Sequence, residues 1–214
     1  MWFSRFNTTT ADGLCDSVFP IPADSHIDSS HPNARTIATP ACLLGTIALD
    51  FVALLCDAKW MNGAQHLTAC PPANADRSGG YAMVIDPATE GIPANTPVLL
   101  TFAGTNSAAI FLRYPTFKVH AGDRFRTTLR CSGPANSQCN VQFALEYYDA
   151  QGKYHSPFMQ WNYNPSMPDI HVDADLSSLT GQSVDFVLAL RPNNDTPQQD
   201  RSLWIAPLIY RANP

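Results

Sequence analysis

Charge is scarce in this 214-residue sequence, and the shortage is uneven. Charged residues make up 14% of the chain, where an average globular protein has roughly 25%. Glu (2) gives way to Asp (16), and Lys (3) to Arg (10). Glu and Lys suit helix interiors, whereas Asp competes for backbone hydrogen bonds and prefers caps and turns. A helical bundle or coiled coil is therefore excluded. No apolar run approaches the roughly 20 residues that cross a bilayer as a helix, so no membrane span is expected. The net charge of −5 excludes general nucleic-acid binding, which needs a basic surface to displace counterions.

Catalytic motifs are also missing. Gly181-Gln182-Ser183-Val184-Asp185 only half matches a nucleophile elbow and opens a strand. No H-E-x-x-H, Walker loop or G-x-G-x-x-G occurs, and the six histidines stand singly. Glycosidases need two opposed carboxylates. Glu90 sits in a Pro/Gly loop, and Glu146 reads as the cross-strand partner of Arg124. Asp169, Asp173 and Asp175 offer oxygens to calcium but lack the spacing of an EF loop and read as a solvated turn. The expectation is a non-catalytic protein without metal or cofactor.

What is abundant is β and turn material. Hydrophobic residues reach 45%, enough for a packed core, and there are 18 prolines. Residues 1–46 carry Pro20, Pro22, Pro32 and Pro40 among Ser, Asp and His without periodicity, and read as an extended N-terminal arm or linker. Residues 47–214 read as the domain. Candidate strands are Tyr81–Ile85, Val98–Phe102, Ala109–Arg113, Phe117–Val119, Arg124–Cys131, Val141–Tyr148, Phe158–Tyr163, Ile170–Ala174, Val184–Arg191 and Leu203–Tyr210. About ten short strands spaced by turn residues predict an all-β fold, a β-sandwich of jelly-roll type.

The cysteines are Cys15, Cys42, Cys56, Cys70, Cys131 and Cys139, an even number with no C-x-x-C pair. One pairing follows from register. With Cys131 opposite Cys139 in an antiparallel hairpin, Leu129 faces Val141, Thr127 faces Phe143, Phe125 faces Leu145, and Arg124 meets Glu146. Cys56–Cys70 and Cys15–Cys42 are the remaining neighbours, against the alternative of six buried thiols in a reducing compartment. Disulfides place the protein outside the cell. Ser4, Arg5 and Asn7 follow Met1-Trp2-Phe3 with no apolar stretch, so the expectation is a leader already removed or a piece of a longer chain.

Two late strands have apolar residues on both faces. Val187 and Ala189 lie opposite Val184, Phe186, Leu188 and Leu190. In Leu203–Tyr210, Leu203, Ile205 and Ile209 share one face and Trp204, Leu208 and Tyr210 the other. A sheet with one wet face alternates cleanly, so the outer face needs cover from loops, from the arm or from another subunit. Pro207 cannot donate to a ladder, which implies a bulge or a sheet edge.

Exposed Trp and Tyr rings stack on sugars while planar polar groups hold the hydroxyls. Trp161-Asn162-Tyr163-Asn164 mixes rings with amides beside turns. Tyr148 projects from the non-core face of its strand, a face shared by Arg126 and Gln142. The candidate ligand-binding set is thus Trp161, Tyr163, Tyr148 and Arg126, with Trp161 equally readable as core packing. Trp60 and Trp204 read as structural.

Several blocks form a recognisable series. Asp50-Phe51-Val52-Ala53, Cys56, Ala58-Lys59-Trp60, Asn62-Gly63-Ala64 and Cys70-Pro71 are followed by Tyr114-Pro115, Gly122-Asp123-Arg124-Phe125-Arg126 and the pair Cys131 and Cys139. Asp175-Leu176-Ser177-Ser178-Leu179 and Asp200-Arg201 before Leu203-Trp204-Ile205-Ala206-Pro207 close it. Over residues 48–212 the series resembles a β-sandwich module that recurs in large bacterial cell-surface and secreted proteins. The last two blocks also resemble the C-terminal half of NPCBM-type carbohydrate-binding modules, which are jelly rolls. The resemblance implies the pairings Cys56–Cys70 and Cys131–Cys139, no catalytic residues, and a glycan ligand.

The expectation is a secreted or cell-surface binding module for glycan or cell-envelope polymer. The alternative is a structural subunit of an extracellular filament or sheath, a homo-oligomer joined through residues 1–46 and the Leu203–Tyr210 strand. If all six cysteines are paired, the unreduced, denatured protein shows no free thiol in a colorimetric assay and six after reduction; any thiol before reduction contradicts full pairing.

Overall fold

Residues 45–62, 65–67, 80–104, 109–133, 138–193 and 200–212 are described by a computed structural model, and strand dominates them. The strands are β1 (Gly45–Asp50), β2 (Lys59–Asn62), β3 (Gln65–Leu67), β4 (Tyr81–Val84), β5 (Val98–Phe102), β6 (Ile110–Arg113) and β7 (Phe117–Lys118). They continue as β8 (Asp123–Cys131), β9 (Val141–Tyr148), β10 (Tyr154–Tyr163), β11 (Ile170–Asp175), β12 (Ser183–Pro192) and β13 (Arg201–Ala212). The strands expected from alternation therefore form, joined by β1, β2 and β3 near the start of the domain. Two short 3-10 turns, Pro87–Glu90 and Ser177–Leu179, interrupt them. Among the described residues no helix is long and apolar enough to cross a membrane.

All pairings are antiparallel and build two sheets. One runs β11-β8-β13-β5-β4, with β1 on the far end of β13; the other runs β10-β9-β12-β6-β2-β3, with β7 on β12. Eight strands make the frame: β5-β13-β8-β11 faces β6-β12-β9-β10. The chain alternates between the two sets except at the β9–β10 hairpin, which is the jelly-roll arrangement of two Greek keys.

The β8–β9 pairing expected from register does not occur. β8 bonds to β11 and β13, whereas β9 bonds to β10 and β12 in the opposite sheet. Phe125, Thr127 and Leu129 thus face Val141, Phe143 and Leu145 across the core rather than along a shared ladder. Period-2 alternation says which side chains share a face and is the same for a hairpin and for an arch between sheets. The Arg124–Glu146 pair fails with it. Arg124 instead binds Asp173 (Nε–Oδ1 2.6 Å), and Glu146 binds Arg191 (2.7 Å).

The Cys131–Cys139 disulfide forms nonetheless, with Cα atoms 6.2 Å apart, and clamps the crossing from one sheet to the other. Cys56 is also disulfide-bonded. Cys15, Cys42 and Cys70 lie outside the described residues, and with them the pairings Cys56–Cys70 and Cys15–Cys42. Most of the arm, residues 1–44, lies outside them too, while Gly45 and Thr46 pair with Ala212 and Arg211 as the start of β1.

The main core lies between the sheets. The fully buried Trp204 of β13 meets Phe143 of β9 edge-on at 4.9 Å, and its indole N–H donates to Thr101 Oγ1 at 3.1 Å. Phe51, just past β1, plugs one end, with edge-on contacts to Tyr114 (4.8 Å) and Phe125 (5.6 Å).

Strand β13 carries the bulge implied by Pro207, but it is no edge. β8 borders it on one side and β5 and β1 on the other. Its backbone groups are used within the sheet, so the Leu203–Tyr210 strand offers no free edge to a second copy. The register shifts between Ile205 and Leu208, and Ala206 has φ 48°. That shift reverses the parity of the strand. Trp204 and Ile209 both belong to the inner core, while Leu203 and Ile205 point outward. The freed groups are matched: Thr127 Oγ1 donates to Ile205 O (3.0 Å), Ala206 N to Pro97 O (2.8 Å) and Phe51 N to Pro207 O (3.2 Å).

Outward-pointing Leu203 meets Tyr81, Val98, Leu100, Phe102 and Ile92 in a second apolar cluster, with Ile85 and Ile205 packed against it. Ile85 and Ile92 come from the β4–β5 connection, so loop residues of the same domain contribute the cover that the two-faced strand demanded.

Trp204→Ala removes the largest wholly buried side chain and leaves Thr101 without its donor. The expected cost is about 3–5 kcal/mol of unfolding free energy, read from urea melts; a cost below about 1 kcal/mol would contradict the packing described.

Candidate functional site

A cavity of about 440 Å³ opens at the disulfide-clamped end of the sandwich, where three segments converge. The β4–β5 connection supplies Thr89 and Glu90, the end of β8 supplies Arg130, Cys131 and Gly133, and the β10–β11 connection supplies Tyr163, Pro165, Met167 and Asp169. The volume falls in the usual range of small-ligand pockets, roughly 300–1,000 Å³.

Local sequence builds each wall. Asp86 caps the 3-10 turn Pro87–Glu90 by accepting from Ala88 N at 3.0 Å, and Gly91 ends it at φ 68°, a conformation glycine adopts without strain. The turn delivers Glu90, whose side chain is only 15% exposed. Ser132 Oγ donates to Glu90 Oε1 (2.5 Å), Gly133 N approaches Oε2 (3.4 Å), and Arg130 Nη2 donates to the Glu90 carbonyl oxygen. On the third wall Asn164 accepts from Ser166 N (3.0 Å), and the Tyr163 hydroxyl donates to Met167 O (3.3 Å). This leaves Met167 39% exposed beside the opening.

Arg130 stands between the two carboxylates. Its Nη2 lies 3.7 Å from Glu90 Oε2 and its Nη1 3.8 Å from Asp169 Oδ2, while its buried Nε–H has no hydrogen-bond partner among the described residues. Asp169 is 39% exposed and receives no hydrogen bond from the described residues apart from this long ion pair. The Asp169 carboxylate therefore remains an acceptor open to the cavity, next to Tyr163, Pro165 and Met167.

The four residues expected to bind ligand are not brought together. Tyr163 lines the cavity, although it is buried and joined to the main core. Trp161 points inward from β10, partly buried, with its ring 6.2 Å from Phe125. Arg126 lies on the outer face of the six-stranded sheet, 3.2 Å from Asp173 and 4.4 Å from the centre of the Tyr210 ring. Tyr148 is on the outer face of the other sheet. Tyr154 stacks on it at 4.6 Å, and the Arg113 guanidinium lies 4.0 Å from its ring centre.

That second face is a closed network. Arg113 pairs with Asp185 (2.6 Å). Glu146, which is wholly buried, accepts from Ser156 Oγ (2.6 Å), Arg191 Nη2 (2.7 Å) and the Tyr154 hydroxyl. The three aspartates weighed for calcium also part company: Asp173 takes Arg124 and Arg126, Asp175 accepts from Ser177, and Asp169 faces the cavity. Among the described residues no group of three or more His, Cys, Asp or Glu could hold a metal ion.

Sequence reasoning missed Arg130 and Asp169 as site residues. It set Glu90 aside as a loop residue and counted Asp169 only as a possible calcium ligand. The available signal was the Pro87–Gly91 turn, whose capping pattern fixes where Glu90 emerges, and the Asn164–Met167 turn, which leads to Asp169.

No known protein family matches the chain, and no curated protein matches it in sequence. Solved structures of similar architecture include TmCBM61 in complex with beta-1,4-galactotriose, with a TM-score of 0.46 and 9% identity over 78% of this chain and 99% of that one. Another is the CBM22-1 xylan-binding domain of Paenibacillus barcinonensis Xyn10C, with a TM-score of 0.43 and 14% identity over 80% of this chain and 97% of that one. A third, from Clostridium thermocellum, is the CBM22-1–GH10 part of xylanase Xyn10B, with a TM-score of 0.40 and 9% identity over 80% of this chain and 28% of that one. These neighbours are carbohydrate-binding modules, the last joined to an enzyme. The likeness is one of architecture and does not transfer a ligand.

Burial raises the pKa of the Tyr114, Tyr147, Tyr154 and Tyr163 hydroxyls, helped by Asp50, Asp149, Glu146 and Asp169 respectively. A raised folded pKa contributes stability that is complete below the unfolded value, about 10, and is lost as pH rises past it. The wholly buried Tyr114 is therefore expected to ionise only with alkaline unfolding, so that phenolate absorbance completes its rise in step with loss of near-ultraviolet dichroism. Phenolate absorbance that levels off with all tyrosines ionised while the dichroism persists would contradict this.

Proposed function

We propose that this chain is a non-catalytic, secreted or cell-surface binding module that takes a glycan into the cavity around Arg130. The observation that carries the reading is the open Asp169 carboxylate, set beside Arg130 and apolar ring and methylene surface in a cavity of about 440 Å³. Sugar hydroxyls donate and accept at once, and sugar C–H faces suit such apolar walls. The Cys131–Cys139 disulfide supports an oxidising compartment, because disulfides persist there and are rare where thiols are kept reduced.

A binding role rather than turnover is favoured by how the carboxylates are held. The Glu90 carboxylate already accepts from Ser132 Oγ and Gly133 N, and Glu146 is enclosed by Ser156, Arg191 and Tyr154. The hydroxyl–imidazole contact of the described residues, Thr128 with His171 at 2.9 Å, lies on an exposed strand face, and no carboxylate hydrogen-bonds that ring among them.

Asp169→Ala changes an exposed side chain, so it should lower retention of the protein in polysaccharide-containing native gels at least about tenfold while leaving the melting temperature within a degree or two. Trp161→Ala, which opens a hole beside Phe125, is expected to lower the melting temperature while the folded fraction keeps its retention. Reversal of the two outcomes would move the site to Trp161.

A further inference from the structure

We infer that the Arg130 cavity selects neutral saccharides and discriminates against those bearing carboxylates or sulfates. This rests on the glycan reading and names the class of ligand the same site takes. Two carboxylates, Glu90 and Asp169, face one guanidinium in the lining, which leaves one net negative charge. The chain as a whole carries −5, so its field has the same sign.

The guanidinium is in no position to reverse this preference. Arg130 Nη2 is committed to the Glu90 carbonyl oxygen and lies 3.7 Å from Glu90 Oε2, and Nη1 faces Asp169 at 3.8 Å. The Nε–H is buried away from the opening and makes no hydrogen bond among the described residues. With one edge buried at Nε and the other turned to Glu90 and Asp169, the guanidinium cannot present the two-point fork by which Arg recognises carboxylate or phosphate.

The open group on the other side is the Asp169 carboxylate, which only accepts. A sugar hydroxyl satisfies it by donating its proton to Asp169. A uronate or sulfate group supplies acceptors alone. Placed here it would leave Asp169 without a donor and set two like charges a few ångströms apart in a partly enclosed site. Discrimination of this kind comes from the repulsive element rather than from added contacts.

The test uses the intact protein and its Asp169→Asn variant, run in native gels containing neutral polymers (unsubstituted xylan, β-1,4-galactan, glucomannan) or acidic ones (polygalacturonate, alginate). The expected result is retention by at least one neutral polymer and at least about tenfold weaker retention by every acidic one. Asp169→Asn should narrow that gap at least about threefold by raising retention on the acidic polymers. Equal or stronger retention of the intact protein on an acidic polymer overturns the inference while leaving glycan binding in place, as does a gap that Asp169→Asn does not change. Absence of retention on every polymer, neutral and acidic, overturns the glycan reading and the selectivity with it.

Discussion

The cluster of Leu203, Val98, Leu100, Phe102, Tyr81 and Ile92 on the outer face of the six-stranded sheet is the constraint from which the site follows. These side chains point away from the core because the strand ladder leaves them no other direction. Left wet, they would forfeit roughly 1.5–3 kcal/mol for each large side chain. The β4–β5 connection relieves this by laying Ile92 on the face, and the turn that starts the connection carries Glu90 to Arg130. Arg130 lies opposite Leu203 in the β8–β13 register, so the same apolar patch that draws the loop down also sets its charged rim. The cavity is thus a by-product of covering a two-faced strand.

The bulge in β13 makes that strand two-faced in a useful way. By shifting parity at Ala206, it lets Trp204 and Ile209 both enter the main core although an odd number of positions separates them. The left-handed backbone at Ala206 costs something, and Thr127, Pro97 and Phe51 offset it by holding the freed groups. A central strand can carry Pro207 only where an imide without N–H falls in such a gap.

Among the described residues, charges are spent mostly on pairing. Glu146 with Arg191, Asp123 with Arg211 (2.7 Å) and Asp185 with Arg113 each close a buried or half-buried contact on a sheet face or at its end. Such pairs add little net stability but are costly to break one-sidedly. Around Arg130 the pairing is looser: Nη2 donates to the Glu90 carbonyl oxygen, but both carboxylates lie beyond hydrogen-bond distance.

Much of the fold was legible beforehand. The extents of β5, β6, β8, β9, β11 and β12 follow from alternation and turn residues, because a strand's inside–outside period is a local property of the backbone. That Pro207 requires a bulge or a sheet edge was legible for the same reason, since a missing N–H is a local fact; the neighbours β5, β1 and β8 decided for the bulge. Fewer signals marked β1 to β3, where short apolar runs give no period to read. The face of Trp161 was not legible either, because β10 breaks register between His155 and Met159, and parity counted from its turn is lost.

Sequence alone therefore determined an all-β jelly roll; it also named the Cys131–Cys139 disulfide, though from a hairpin register that does not form. Tertiary structure decided that β8 and β9 face each other across the core instead of pairing, since alternation is identical for both and only the neighbours β11, β13, β10 and β12 break the tie. It also decided the site. Glu90, Arg130 and Asp169 are far apart along the chain, and no local pattern encodes that three connections meet at one end of a sandwich.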